Sequence, residues 1–67
     1  MTFGNDNMTF GKTLVMFRAK HDLTQANLAA VLGITPYMVH RYEKGKSNPS
    51  AKNEIIYLRK MKEMEEK

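Results

Sequence analysis

The sequence predicts an all-α domain of four compactly packed helices, with a fifth if the C-terminal segment divides. Three observations predict it. Apolar residues recur at helical spacings of three and four positions. A hydroxyl residue precedes each such run as a ready N-cap: Thr9, Thr24, Thr35 and Ser50. Gly33 and Gly45 follow the second and third runs, where a glycine takes the positive φ that turns the chain out of a helix.

Residues 1–8 read as a flexible lead. Met-Thr-Phe-Gly stands at 1–4 and again at 8–11, too short to be a structural repeat. Helix one is expected from Thr9 to about Lys20, with Phe10, Leu14 and Phe17 as its buried stripe. Asp22 ends it, because aspartate tolerates a left-handed conformation better than most residues. Helix two covers about Gln25 to Leu32 and turns Leu28 and Leu32 inward, with Ala29 and Ala30 small where another helix approaches. Gly33 makes the turn and Ile34 plugs the corner. Pro36 opens helix three at the position where a missing N–H is harmless. That helix runs to about Lys44, with Val39 and Tyr42 inside. The segment 24–44 thus has the layout of a helix-turn-helix within a domain spanning 9–67. A last helix follows over about 50–65, offering Ile55, Ile56 and Leu58 to the core. Its second stripe, Tyr57, Met61 and Met64, is a candidate face for self-association.

With 67 residues there is room for one small domain. Such a chain buries roughly 60% of its unfolded surface, so few apolar residues are free to build a reaction cavity. The absence of cysteine excludes a disulfide scaffold and thiolate metal sites, and suits a reducing cytoplasm. No apolar run approaches a membrane span, and the first ten residues lack a signal-peptide core. The net charge of +4 is unevenly placed. Between Gly11 and Lys52 stand Lys12, Arg18, Lys20, Arg41, Lys44, Lys46 and Lys52 against only Asp22 and Glu43, whereas charges cancel from Asn53 onward. A basic middle suits an anionic partner such as a phosphate backbone. His21, Asp22 and His40 are too few and too scattered for a zinc site or a catalytic triad. The isolated glycines form no phosphate loop. Neither an enzyme nor a cofactor nor a small-molecule ligand is expected.

Residues Leu23-Thr24-Gln25, Leu28-Ala29, Leu32-Gly33-Ile34-Thr35, Val39, Tyr42-Glu43-Lys44-Gly45-Lys46 and Asn48-Pro49-Ser50 form one pattern, joined by Phe10-Gly11, Leu14 and Arg18 from helix one. This pattern resembles the lambda-repressor-like family, the Cro/C1 or xenobiotic-response-element type of helix-turn-helix. The resemblance covers about four-fifths of the chain. It implies that helix three lies in the major groove of double-stranded DNA, where its outer face reads base edges. Pro36, Tyr37, His40 and Arg41 are then the base-contacting candidates, and Arg41 leads because a guanidinium can bond both O6 and N7 of guanine. Pro36 offers shape alone. Gln25, Thr35, Lys44, Lys46 and Arg18 are the phosphate candidates. The resemblance also implies that Arg18 and Glu43 form a partly buried pair linking helices one and three.

The function expected is a sequence-specific, cytoplasmic transcriptional regulator of bacterial or phage origin, a repressor acting on a palindromic operator as a homodimer. An antitoxin that regulates its own promoter is the alternative within this class. A protein-interaction module that kept the fold and lost DNA binding is the alternative outside it. The outer face of helix three argues against that second alternative, since it carries Arg41 and Lys44 and no acidic residue.

Overall fold

The computed structural model describes residues 9–66, and the lead expected at 1–8 lies outside them. The described residues form α1 (Phe10–His21), α2 (Gln25–Leu32), α3 (Pro36–Glu43) and α4 (Ala51–Glu65), with no strand among them. The C-terminal segment does not divide: α4 is one helix of 15 residues. Among the described residues there are four helices, not five.

Each helix starts on a hydroxyl. Thr9 accepts from the Lys12 N–H at 3.2 Å, Thr24 from Asn27 at 3.0 Å, Thr35 from Met38 at 3.2 Å and Ser50 from Asn53 at 3.2 Å. Asn27 returns the bond, its Oδ1 accepting from the Thr24 N–H at 3.2 Å. An asparagine therefore closes the capping box that a glutamate more often closes. Three residues take the left-handed conformation where helices end: Asp22 (φ 56°), Gly33 (φ 77°) and Gly45 (φ 75°). At Gly33 the Ala29 carbonyl accepts from both Gly33 and Ile34, at 2.8 and 3.0 Å. That closes α2 and aims the chain into α3.

The core gathers Phe10, Leu14 and Phe17 of α1, Leu28, Ala29 and Leu32 of α2, Val39 and Tyr42 of α3, and Met61 of α4. Helix α1 packs against α3, and α2 packs against both α3 and α4. Gly11 is what lets α1 approach so closely. A Cβ there would overlap the Tyr42 carbonyl oxygen and lie 3.1 Å from the Glu43 Cα. Phe10 meets Tyr42 edge-on with ring centroids 5.4 Å apart, and Tyr57 joins them from α4 at 5.9 Å from Phe10. At the C-terminal ends of α1 and α4, Glu65 accepts from Lys20 Nζ at 3.1 Å and pairs with His21 Nε2 at 2.8 Å.

Helix α4 presents a different face from the one its sequence suggests. Ile55 is 57% exposed and Leu58 39%, whereas Met61 is 4% exposed and Tyr57 and Met64 pack on the core. The reason is continuity. Tyr57, Met61 and Met64 fall at i, i+4, i+7 and run the length of the helix, while Ile55, Ile56 and Leu58 crowd its first two turns and spread around the cylinder. The stripe considered for self-association is thus the core face. Ala30, expected at a helix contact, is exposed, and only Ala29 is buried.

Three variants test this packing by urea unfolding. Met61→Ala should destabilise by about 2–5 kcal/mol, and Ile55→Ala by no more than about 0.5 kcal/mol. Gly11→Ala should lose on the order of 1–3 kcal/mol through overpacking against the α3 backbone, opposite in sign to the gain expected at an open helical glycine.

Candidate nucleic-acid interface

Three helix ends meet at one carboxylate. Glu43, the last residue of α3, accepts from Arg18 Nε at 2.7 Å and Arg18 Nη2 at 2.9 Å. Its Oε1 also accepts from Gln25 Nε2 at 2.9 Å, and Arg18 Nη1 donates to the Leu23 carbonyl at 3.1 Å. The Glu43 side chain is 6% exposed and that of Arg18 25%. Burial pushes the Glu43 carboxyl up. The bonds from Arg18 and Gln25, with the positive charge of Arg18, together outweigh it and hold the carboxyl below its usual value. The bond to Glu43 likewise raises Arg18 above the ordinary guanidinium value. One buried-side network fixes α3 to the end of α1 and the start of α2.

This geometry places the candidate residues in three settings. Arg18 directs three of its five N–H groups to Glu43 and Leu23, inside the domain. Gln25 gives its amide to Glu43, leaving one side-chain N–H and its place at the α2 N-terminus toward solvent. Thr35, with its oxygen accepting from Met38, keeps its hydroxyl proton free to donate. Pro36, Tyr37, His40 and Lys44 are exposed together along α3, and Lys46 is exposed just beyond it. Among the described residues Tyr37 is the most open of the large apolar side chains, at 64%. Met38, on the flank of α3, packs against the core.

Arg41 is the residue whose setting the sequence least foreshadows. It is half-buried. Its Nε donates to Ser47 Oγ at 2.9 Å and its Nη2 to the Lys46 carbonyl at 3.1 Å. Its Cζ lies 5.9 Å from the centroid of the Tyr37 ring. The loop that receives it is itself fixed by the end of α3. The Lys46 N–H donates to the Arg41 carbonyl at 2.9 Å and the Gly45 N–H to the Tyr42 carbonyl at 3.0 Å, the paired bonds of a Schellman turn around left-handed Gly45. Ser47 and the Leu23 carbonyl are the contributors sequence reasoning missed. The only advance signal for Ser47 was Gly45 two residues earlier, which folds the loop back over α3.

Residues 14–62 match a family model described as helix-turn-helix. That settles the family. The chain belongs to the Cro/C1-type helix-turn-helix proteins. Comparisons with curated proteins and with solved structures gave no match. This helix-turn-helix protein is accordingly a DNA-binding regulator with α2 and α3 as the motif. None of the helices among its described residues is long and apolar enough to cross a membrane.

The network at Glu43 carries a pH signature. A carboxyl lowered on folding contributes stability that is fully present above its unfolded value near 4.5 and is lost as pH falls through the folded value. Urea midpoints of the native protein should therefore fall with pH below about 4.5. Glu43→Gln should lose the part of that slope owed to Glu43 and be less stable at neutral pH by up to about 3 kcal/mol, since Arg18, deprived of its partner, retains some water. Identical acid slopes in both proteins would remove Glu43 from this role.

Proposed function

We propose that the protein is a sequence-specific transcriptional repressor of bacterial or phage origin that acts in the cytoplasm by occupying an operator with α3 in the major groove. The observation carrying this reading is the outer face of α3: Tyr37, His40 and Arg41 lie along it, and Lys44 and Lys46 stand at its exit with no exposed carboxylate among them. The one acidic residue of α3, Glu43, is turned inward and neutralised by Arg18. Arg41 and Tyr37 read base edges, His40 reaches the adjacent edge, and Pro36 sets how closely the helix start approaches. Lys44 and Lys46 meet phosphates, as do the Thr35 hydroxyl and the α2 terminus at Gln25. Arg18 serves by holding Glu43 and Leu23, and with its side chain 25% exposed it adds positive charge for a phosphate brought to the α2 end. One eight-residue reading helix covers few base pairs, so two copies on a palindromic operator supply the length a specific site needs.

Selection from a random duplex pool tests this directly. The expected result is a palindrome with half-site centres about one helical turn apart; failure to enrich any sequence counts against base readout. On the selected duplex, Arg41→Ala should weaken binding by about 1–3 kcal/mol and leave a scrambled duplex unaffected. Lys44→Ala and Lys46→Ala should weaken both duplexes and each lower the salt slope by about one.

A further inference from the structure

We propose that Ser47 is a specificity-determining positioning residue: together with the Lys46 carbonyl it holds Arg41 so that one edge of the guanidinium faces a guanine. The inference rests on the reading of Arg41 as a base contact and deepens it. A guanidinium has two forked edges able to make paired bonds, the side edge formed by Nε with Nη2 and the end edge formed by Nη1 with Nη2. In this structure the side edge is occupied, by Ser47 Oγ at 2.9 Å and the Lys46 carbonyl at 3.1 Å. Among the described residues Nη1 donates to no protein acceptor, so the end edge keeps two parallel N–H groups. That is the pair needed to bond O6 and N7 of one guanine.

The brace is closed from three sides. Tyr37, one turn earlier on α3, sets its ring 5.9 Å from the Arg41 Cζ and limits the guanidinium on the helix side. The Lys46 backbone grips Arg41 at both ends, its N–H donating to the Arg41 carbonyl at 2.9 Å and its carbonyl accepting from Nη2. Ser47 supplies the one side-chain acceptor. A free arginine has several rotatable bonds to immobilise when it meets a base, and fixing them beforehand removes that entropy from the binding step. The outward lysines of this surface show no such brace, as suits contacts to phosphate that carry no sequence information.

The experiment is a four-protein comparison: native, Ser47→Ala, Arg41→Ala and the double variant. Each is titrated on the duplex the native protein selects from a random pool and on a scrambled duplex, with thermal unfolding to confirm folding. Ser47→Ala should reduce the ratio of selected to scrambled affinity by about 2- to 10-fold, with the scrambled affinity and its salt slope unchanged. In the Arg41→Ala background the Ser47 substitution should change nothing, and Ser47→Thr, which keeps the hydroxyl, should retain discrimination. Unchanged or increased discrimination in Ser47→Ala overturns the proposal, as does an equal loss with and without Arg41. If Arg41→Ala itself leaves discrimination intact, the base-reading role of Arg41 falls, and the role of Ser47 falls with it. If Arg41→Ala loses discrimination while Ser47→Ala keeps it, only the brace is wrong.

Discussion

The Glu43 carboxylate is the constraint on which the placement of α3 and its outer face depends. Helix α3 has eight residues, far below the length at which a helix holds itself together in water. Its N-terminus is secured by Thr35 and Pro36, and its inner face by Val39 and Tyr42. Those contacts fix its depth in the domain but leave its far end free to swing. Glu43 removes that freedom with bonds to Arg18 on α1 and Gln25 on α2. Because both Glu43 oxygens are engaged, the direction of the α3 axis is set as well as its position.

The same constraint explains the close packing on the other side of α3. Gly11 brings the α1 backbone against Tyr42 and Glu43, and the Arg18 guanidinium reaches Glu43 two turns further along the same helix. A wider separation of α1 and α3 would lengthen both bonds from Arg18 together. Small volume at residue 11 and the ion pair at 18 and 43 are therefore one solution. The aromatic contact of Phe10 with Tyr42 and Tyr57 seals the end of this seam and ties α4 to it.

Local chemistry made most of the fold legible in the sequence. Thr9, Thr24, Thr35 and Ser50 each cap a helix, and Asp22, Gly33 and Gly45 each take positive φ, because these features depend on a residue and its near neighbours alone. The rotation of α4 was legible only in part: the Tyr57, Met61 and Met64 stripe stands in the sequence, but so does a competing apolar cluster at Ile55, Ile56 and Leu58. An Ile-Ile-Tyr-Leu run is apolar on every side, and the contacts of Tyr57 with the distant Phe10 and Tyr42 help decide which of its residues turns inward. The outer side of α3 divides the same way. That Tyr37, His40, Arg41 and Lys44 share the outer side of α3 follows from helical spacing, and the family supplies DNA as the partner of the motif. The half-burial of Arg41 does not follow from spacing, since Ser47 reaches it only through the turn at Gly45.

Order on this surface is unequally distributed, and the inequality has a physical logic. Discriminating one base pair from another requires two donors held at a set angle, so an unrestrained side chain would lose affinity to its own rotamer entropy. Neutralising a phosphate requires only a positive charge within reach, and a mobile ammonium satisfies several phosphate positions equally well. Arg41 is half-buried, doubly hydrogen-bonded and flanked by an aromatic ring, while Lys44 and Lys46 are open to solvent a few residues away. In a domain this small, with few contacts to spare from its core, order on the outer side of α3 is concentrated at the one side chain that the proposed base readout would use, Arg41.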